Sequence, residues 1–398
     1  TARIRGANDR LRIAIAGLNG RGQSHLSGYL DQQNVEIAYL IDPDRNVLNR
    51  AMSGLQNKLG DKFAAKGTAD LREALEDRTV DALSVAAPNH WHSLMTIWGA
   101  QAGKHVYVEK PMSHDVAEGR ICVEAQKKYG VVIQHGTQNR SSAEIAGLHE
   151  AIQAGKFGRL KISYGYCCKA RGSIGTKPIS APPENLDWNL WRGPAAIEEF
   201  HGNYVHYNWH WFWDTGNGDL GNQGIHQMDI ARWFLGESGL PRSTLSVGGR
   251  LGYVDDGNTP NTQIVVHDYA SAPLIFEVRG LPSKAAPAGA TPSKGRKKAA
   301  EVADGEESAG PVMDKYRGVS VGNVIDCEGG SVVVPSKLGV KSTVSWSMHR
   351  ARDWAPCAGG PSRAGVGLPR TSQRLVRCSE TCCAPRSIRS GRVVSWPT

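Results

Sequence analysis

One stretch near the N-terminus, an apolar strand broken by clustered glycines, constrains the fold of this 398-residue chain most strongly. Leu11 to Ala16 is an apolar run that predicts a buried strand, and the glycine-rich segment Gly17 to Gly22 ends it before a sequence that can form a helix. A second apolar run, Val35 to Ile41, closes on Asp42. Strand, glycine turn, helix, strand and acid in this order are typical of a dinucleotide-binding βαβ unit.

The chemistry of such a turn explains its composition. Glycines let the backbone approach a pyrophosphate, which the unpaired N–H groups at the start of the following helix attract. Asp42 can accept hydrogen bonds from a ribose diol. The second glycine of the usual pattern is replaced by Asn19, with Gly20 beside it. The alternative is a tight turn in which Asp42 caps a helix that has Pro43 in its first position.

Two later predicted strands also end in polar residues, at the edge where an open α/β sheet binds its ligand. Ala82 to Val85 is followed by Pro88-Asn89-His90-Trp91-His92, and a run ending at Val108 is followed by Glu109-Lys110-Pro111. A lysine close to both cofactor and substrate can lower the pKa of a hydroxyl, or stabilise a developing alkoxide, without a metal. We therefore expect Lys110 to take part in catalysis.

Simpler interpretations of the same residues stay open. Glu109 and Lys110 could form an ordinary surface ion pair. His90 and His92 suggest a metal site, but no carboxylate or cysteine lies at ligand spacing from them, so we expect cofactor contact instead.

Together with three further motifs, these residues resemble the Gfo/Idh/MocA family of NAD(P)-dependent oxidoreductases, which includes glucose–fructose oxidoreductase and inositol dehydrogenase. The further motifs are Gly136 to Arg140, Leu186 to Pro194 and Gly216 to His226, so the similarity covers roughly residues 7 to 335. The resemblance implies an α/β fold, with an N-terminal Rossmann dinucleotide-binding domain and a C-terminal α+β domain built on an open mixed or antiparallel sheet. It also implies hydride exchange between a nicotinamide and a secondary hydroxyl of a sugar or polyol, and a homo-oligomer, either a dimer or a tetramer.

The resemblance implies roles for individual residues. Lys110 would contact the nicotinamide and the substrate hydroxyl, and His226 would be the general base. The family pattern often has an aspartate four residues before that histidine, where this chain has Asn222, which cannot take a proton. Asp219 and Asp229 are the candidate substitutes for an acid–histidine relay.

The predicted site has three groups of residues and no metal ligand. The predicted catalytic residues are Lys110, His226 and Asn222. The predicted cofactor contacts are Gly17, Asn19, Gly20, Arg21, Gly22, Asp42, Pro88, Asn89, His92, Glu109, Lys110 and Gln138. The predicted substrate contacts are Lys110, Arg140, Trp209, Asp219 and His226. Asp42 favours NAD as the cofactor, and NADP stays open because Arg45 could bind a 2′-phosphate.

The segment from Trp188 to Trp213 is unusually aromatic. It holds five of the eleven tryptophans, together with Tyr204, Tyr207 and three histidines. Sugars stack their C–H faces on aromatic rings while polar neighbours bind the hydroxyls, so a carbohydrate site is one interpretation. Core packing or a subunit interface is the other, and the sequence favours neither.

The C-terminal end differs from the rest of the chain. From Lys341 onwards there are ten basic residues and two acidic ones, so this end carries most of the net charge of +9. The remainder is nearly neutral and gives no reason to expect a nucleic-acid partner. Residues 341–398 also show no sustained helical or strand period. We hypothesise that they are an aberrant basic tail, either disordered or translated out of frame.

The chain divides into two predicted domains before that tail. Residues 1–140 form the Rossmann NAD(P)-binding domain, and 141–340 form the α+β domain for substrate binding and oligomerisation, in which 282–311 is an inserted flexible loop. Helices are predicted at 44–59, 70–77, 91–102, 113–129 and 142–155. No apolar run approaches the roughly 20 residues of a membrane helix, and we expect no membrane association. The chain start resembles that of family members exported with a twin-arginine signal, so export and a cytoplasmic location both stay open.

Three functions remain in competition. The first is an NAD(P)-dependent sugar or polyol dehydrogenase. The second is an NAD-dependent glycosidase-like enzyme that oxidises its sugar only transiently, and the third is a non-catalytic cofactor- or sugar-binding protein. Net NADH production from a free sugar would separate the first from the second.

Overall fold

The computed structural model describes residues 10–282 and 312–336, together with the backbone of 345–348. The predicted inserted loop, beyond its first residue, lies outside the described residues. The predicted basic tail also lies outside the described residues, except for the backbone of 345–348. No helix in the described ranges is both long enough and apolar enough to span a bilayer.

The first half of the chain forms a six-stranded parallel sheet flanked by helices. Its strands are β1 (Leu11–Ala16), β2 (Val35–Ile41), β3 (Lys66–Thr68), β4 (Ala82–Val85), β5 (His105–Glu109) and β6 (Ile133–Gly136). Its helices are α1 (Arg21–Leu30), α2 (Arg45–Leu59), α3 (Leu71–Glu76), α4 (Asn89–Gln101) and α5 (Val116–Tyr129). The strand order β3-β2-β1-β4-β5-β6 is that of a Rossmann domain. After β3 the chain adds its next strand, β4, on the other side of β1, and such domains bind their ligand at this switch point between β1 and β4.

Helices cover both faces of this sheet, which explains why its strands are nearly continuous apolar runs. On one face, Ile15 packs in a cluster with Leu55 of α2. On the other face, Val85 packs in a cluster with Met95 of α4. Because both faces are buried, the polar residues of these strands concentrate at the strand ends.

All five predicted helices form, and their ends differ from the prediction by a few residues. Four of them begin just after a residue whose side chain accepts a hydrogen bond from the first-turn N–H groups, a standard N-cap. The caps are Asp44 for α2, Asp70 for α3, Asp115 for α5 and Ser142 for the next helix, α6 (Ala143–Gln153). The fifth, α4, begins two residues before its predicted start, directly after Pro88.

The rest of the described chain contains a second, mixed sheet. The strands of this half are β7 (Leu160–Cys168), β8 (Ile179–Ser180), β9 (Phe200–His201), β10 (Ser243–Gly249), β11 (Thr262–Asp268), β12 (Leu274–Arg279), β13 (Val321–Cys327), β14 (Gly330–Pro335) and β15 (Ser345–Met348). Its other helices are α7 (Trp188–Arg192) and α8 (Ile225–Leu235). Seven strands form the sheet in the order β10-β11-β12-β7-β13-β14-β15, in which only β12 and β7 run parallel, and β8 pairs with β9 separately.

The last strand corrects one expectation. Ser345–Met348 pairs antiparallel with β14, with Val332 opposite Trp346. These four residues belong to the segment predicted to be an aberrant tail, so the sheet extends further than the sequence pattern indicated.

Residues 169–219, here called the connecting segment, run from β7 back across the first domain before the chain reaches α8. The backbone N–H of Asp187 donates to the Pro43 carbonyl at 2.9 Å. The Trp91 indole N–H of α4 donates to the Trp191 carbonyl, also at 2.9 Å. These contacts hold the connecting segment against the C-terminal edge of the parallel sheet.

Gly193, which follows α7, provides a test of this packing. Its φ is +46°, and an added Cβ would lie 2.2 Å from a ring carbon of Trp91. We expect Gly193→Ala to lower the free energy of unfolding by about 1–3 kcal/mol, because neither the backbone conformation nor the Trp91 ring accommodates a methyl group. Urea denaturation measures the change.

Gly202→Ala is the matched control, because an added Cβ there meets no atom within 4 Å. Its effect should stay below about 1 kcal/mol. Equal losses in the two variants would show that the contact between α7 and α4 contributes nothing specific.

Candidate active site

A cavity of about 1150 Å³ lies between the C-terminal ends of the parallel strands and the connecting segment. One wall comes from the glycine turn and from the residues that follow β2, β4 and β5. The other wall comes from the connecting segment and the start of α8. The predicted site residues that line it are Gly17, Asn19, Gly20, Arg21, Asp42, Pro88, Asn89, His92, Glu109, Lys110, Gln138, Trp209, Asn222 and His226.

The glycine turn forms a cradle that side chains would fill. Gly17 has a φ of +83°, and an added Cβ would lie 2.6 Å from the backbone of Ala86. At Gly22, which lies behind the turn, a Cβ would be 1.8 Å from the Gly17 carbonyl oxygen. The first turn of α1 has no acidic residue of its own, which suits an anion at the N-terminus of this helix. The turn therefore fits the pyrophosphate of a dinucleotide.

Asp42 is buried at the end of β2, where it supports the glycine turn. Its Oδ2 accepts a hydrogen bond from Leu18 N at 2.9 Å, and its Oδ1 accepts one from Asp44 N at 3.0 Å. Burial raises the pKa of Asp42, although the two backbone hydrogen bonds oppose this. Since Asp44 caps α2, the alternative in which Asp42 caps the helix is wrong.

Two carboxylates, Asp42 and Asp70, and one histidine, His206, line this part of the cavity, and Asp70 is paired with Arg72, which lines it too. His206 lies with Nε2 2.9 Å from Asp44 Oδ2. Arg45, the residue considered for a 2′-phosphate, instead donates to the Glu184 carbonyl at 2.5 Å. This arrangement favours a ribose diol over a phosphorylated ribose.

Glu109 is buried beneath the centre of the cavity. Its Oε1 accepts hydrogen bonds from Arg21 Nε at 2.9 Å and from His25 Nε2 at 3.1 Å. Burial alone would raise the pKa of Glu109, but the hydrogen bonds from His25 and Arg21 outweigh it and hold the pKa at about 2. An exposed Glu109–Lys110 ion pair, the simpler alternative, is therefore wrong.

Lys110 reaches across the cavity to the second domain. Its Nζ donates to the backbone carbonyl of Asn222 at 2.5 Å and lies 3.5 Å from the Asn222 side-chain oxygen. Burial lowers the pKa of Lys110 to about 8, against the opposing charges of Glu109 and Asp219. In the described part of the chain, no carboxylate forms an ion pair with Lys110.

His226, on the first turn of α8, lines the cavity close enough to Lys110 to be affected by its charge. Burial lowers the pKa of His226 to about 4, and the Lys110 charge acts in the same direction. The imidazole is therefore neutral at physiological pH. No described residue hydrogen-bonds to its ring.

Three predicted site residues do not line the cavity, because each is used elsewhere. Asp219 is almost fully buried and forms a two-pronged ion pair with Arg171, at 2.6 and 2.7 Å. Arg140, expected to contact substrate, forms a similar pair with Asp229. The proposed relay from either aspartate to His226 is therefore not formed. Asp219 instead supports the site through Arg171 and through a hydrogen bond that its Oδ1 accepts from the Asn222 side chain at 3.4 Å. Gly22 is the third, and it acts through packing against Gly17.

Two further residues predicted to contact the cofactor, Asn89 and His92, line the cavity and have protein partners of their own. Both ring nitrogens of His92 lie close to backbone carbonyl oxygens, Nδ1 2.6 Å from Pro111 and Nε2 2.7 Å from Ala87, so His92 packs between the loops after β4 and β5. Burial lowers the pKa of His92, and the neutral ring donates to one of the two carbonyls. Asn89 donates to the Asn217 side chain at 3.1 Å, across the domain boundary. His90, in contrast, is buried against the carbonyls of the connecting segment and does not line the cavity.

Several lining residues were not predicted individually. They come from α4 and the connecting segment: Trp91, Leu94, Met95, Trp98, Asn189, Leu190, Trp191, Tyr207 and His210. The aromatic density of the connecting segment marked the region, but spacing alone does not show which rings face a cavity. In the described residues, no group of three or more histidine, cysteine, aspartate or glutamate side chains is arranged to hold a metal.

Comparison with known families agrees with this geometry. Residues 11–137 match the model of the oxidoreductase family with an NAD-binding Rossmann fold, and residues 162–250 match the family's C-terminal alpha/beta domain. The two matches together cover more than half of the chain. The chain belongs to the Gfo/Idh/MocA oxidoreductase family. This confirms the predicted family, fold class and NAD-type cofactor.

Individual relatives are more distant. Levoglucosan dehydrogenase of Pseudarthrobacter phenanthrenivorans is 25% identical over 278 residues, which are 67% of this chain and 64% of that protein. Myo-inositol 2-dehydrogenase of Thermotoga maritima is 34% identical over 149 residues, 37% of this chain and 42% of that protein. The matched regions thus span less than two thirds of either relative.

A solved structure shares the fold. The WlbA dehydrogenase from Bordetella pertussis, solved in complex with NADH and UDP-GlcNAcA, superposes with a TM-score of 0.59 at 19% identity, over 86% of this chain and 84% of that one. At this identity the likeness shows the fold alone.

The cradle formed by the glycine turn gives a direct prediction. Gly22→Ala should weaken NADH binding by about tenfold or more, because the added methyl group would push α1 away from Gly17 and distort the turn. Energy transfer from tryptophan to the nicotinamide measures the affinity. Gly28→Ala, in the same helix but with no atom within 4 Å of the added Cβ, is the control and should bind NADH normally. Unchanged binding by both variants would contradict the assignment.

Asn222, the uncharged residue that contacts Lys110, gives a second prediction. Asn222→Asp would bring a carboxylate to about the 3.5 Å separation now held by the amide oxygen, which stabilises the ammonium and should raise the pKa of Lys110 by about one unit or more. The pH dependence of reductive methylation at Lys110, followed by mass spectrometry, measures this pKa. Gln223→Glu adds the same charge at the adjacent residue, whose amide contacts Ser336, and should have a smaller effect. A Lys110 pKa that is unchanged in Asn222→Asp would show that the pair is not coupled.

Proposed function

We propose that the protein is an NAD-dependent dehydrogenase that oxidises a secondary hydroxyl of a sugar or polyol. One observation carries the proposal. The Lys110 amine, with its pKa lowered to about 8, shares a cavity with a dinucleotide-type glycine turn and has no carboxylate partner among the described residues. A lysine in this state can take the proton of an alcohol close to neutral pH.

The residues around the cavity support an ordered arrangement of the cofactor. The glycine turn and the N-terminus of α1 would hold the pyrophosphate, and Asp42 would face the adenosine ribose. Pro88, Asn89 and Gln138 would lie toward the nicotinamide, beside Lys110. When bound, NAD supplies the acceptor for the hydride that leaves the alcohol carbon.

In this proposal Lys110 takes the proton and His226 assists by positioning the hydroxyl. As the carbon loses its hydride, the hydroxyl gives its proton to the Lys110 amine, which becomes an ammonium ion and later releases the proton to solvent. The neutral imidazole of His226 orients the hydroxyl by accepting or donating one hydrogen bond. Asn222 fixes Lys110 through its carbonyl oxygen and does not itself exchange a proton.

The substrate class is supported by the chemistry of the second wall. Trp209 offers an aromatic surface for the C–H groups of a sugar ring, while Lys110, Asn222 and His226 offer polar contacts for hydroxyls. Two relatives are named as dehydrogenases of levoglucosan and of myo-inositol, both polyhydroxylated rings, which supports the same choice.

The test is a comparison of wild type with Lys110→Ala. Wild type should form NADH from NAD and at least one cyclic polyol, with levoglucosan and myo-inositol tried first. Lys110→Ala should lower kcat by about 100-fold or more, because the proton acceptor is lost, and should leave NADH affinity within about threefold.

Lys127→Ala, at an exposed position of α5, is the control and should retain full activity. Full activity in Lys110→Ala would overturn the catalytic assignment. Hydrolysis of a nitrophenyl glycoside without net NADH would favour the glycosidase alternative instead.

A further inference from the structure

His210 lies in the 3₁₀ turn Asn208–Trp211 of the connecting segment and has no role in the mechanism above. Its Nδ1 lies 2.6 Å from the Tyr207 carbonyl oxygen. Because a carbonyl oxygen can only accept a hydrogen bond, Nδ1 must carry the hydrogen. In the neutral imidazole, Nε2 then bears a lone pair and can only accept.

The plane of the ring is fixed as well as its tautomer. The His210 imidazole stacks on the Trp209 indole, with ring centres 3.6 Å apart and planes 19° from parallel. The Trp209 indole N–H in turn donates to the His206 carbonyl at 3.2 Å, and the Thr215 hydroxyl donates to the Trp209 carbonyl at 2.8 Å. The Nε2 edge of His210 is therefore held in one direction.

The surroundings keep this imidazole neutral. Burial lowers the pKa of His210 to about 3, and the positive charges of Lys110 and Arg171 and the neighbouring His92 act in the same direction. Asp219, an acid whose charge acts on Lys110, is engaged with Arg171. A lone pair on Nε2 therefore persists across the physiological pH range.

The Nε2 atom is available to a ligand. No described residue hydrogen-bonds to it, and it is not among the buried polar atoms that lack a partner, so it is not enclosed by protein atoms. His210 lines the cavity together with Lys110, Asn222 and His226. The Lys110 amine can both donate and accept, whereas His210 Nε2 offers only a lone pair, so His210 requires a partner that carries a hydrogen.

We propose that His210 Nε2 accepts a hydrogen bond from a second hydroxyl of the substrate, distinct from the hydroxyl that gives its proton to Lys110. This deepens the proposed function and depends on it for the identity of the ligand. His210 makes the site selective for substrates with at least two free hydroxyls. A substrate with an ether, carbonyl or carboxylate oxygen at the second position cannot donate a hydrogen bond to Nε2. Two acceptors would then face each other, so such a substrate binds poorly.

The first test observes the ring directly and needs no turnover. Wild type and His210→Phe, labelled with ¹⁵N in histidine and saturated with NADH, are compared by proton–nitrogen correlation spectra. The signals that disappear in His210→Phe belong to His210. We expect them to show hydrogen on Nδ1, no titration between about pH 6 and pH 8, and an upfield movement of Nε2 when levoglucosan or myo-inositol is added.

His149→Phe is the matched control, because His149 also stacks on a tryptophan, Trp233, but does not line the cavity. The His149 signals should not respond to either polyol. Hydrogen on Nε2 of His210, titration near the ordinary value of about 6.5, or no response to both polyols would overturn the proposal, whether or not the enzyme oxidises them.

The second test separates recognition from folding. With the polyol that is oxidised fastest, His210→Phe should raise KM by about tenfold or more while kcat changes less, and His210→Gln, whose side-chain oxygen can accept, should recover part of the loss. NADH affinity should be unchanged in both variants. Equal KM for wild type and His210→Phe would overturn the proposal. Absence of oxidation for every polyol would count against the proposed function alone, because the spectra still decide the role of His210.

Discussion

The contact between the Lys110 Nζ atom and the Asn222 carbonyl oxygen, 2.5 Å apart, joins the two domains at the point where the chemistry is expected. Lys110 directly follows β5, and Asn222 lies in the π-helical turn Leu220–Gly224 that leads into α8. His92 packs against the loop after β5, with Nδ1 2.6 Å from the Pro111 carbonyl oxygen. Because a carbonyl dipole stabilises an ammonium ion less than a carboxylate does, the buried lysine keeps a lowered pKa.

Most other charges near the cavity have partners other than Lys110. Three nearby acids have a cationic or imidazole partner other than Lys110: Glu109 has Arg21 and His25, Asp219 has Arg171, and Asp229 has Arg140. Asp42 accepts hydrogen bonds from backbone N–H groups instead. Burial keeps the imidazoles of His210 and His226 neutral. Burial places the pKa of Lys110 at about 8, so its protonation changes close to physiological pH. Asn222 preserves this state, where an aspartate would raise the lysine pKa.

Residues whose role depends on the local chain were predictable from the sequence. The glycine turn, Asp42 and Glu109 follow strands directly, and the ends of parallel strands meet at one edge of a sheet, so their neighbourhood follows from the strand pattern alone. Helix ends were off by a few residues because N-cap side chains such as Asp115 set the start, and several polar residues near each boundary could serve as the cap.

Residues whose role depends on a distant partner were not predictable. Arg140 pairs with Asp229, 89 positions away, and Asp219 pairs with Arg171, 48 positions away, so a sequence motif shows the residue but not its partner. The same limit applies to the aromatic segment. Its alternation did not distinguish core rings such as Trp211 from cavity rings such as Trp209.

The most direct test of hydride transfer uses levoglucosan and myo-inositol labelled with deuterium at every ring carbon. The account predicts that NADH formed by the wild-type protein carries a single deuterium from the polyol, and that the labelled polyol reacts more slowly than the unlabelled one. NADH that forms without deuterium, or conversion of a polyol or glycoside with no NADH at all, would contradict it.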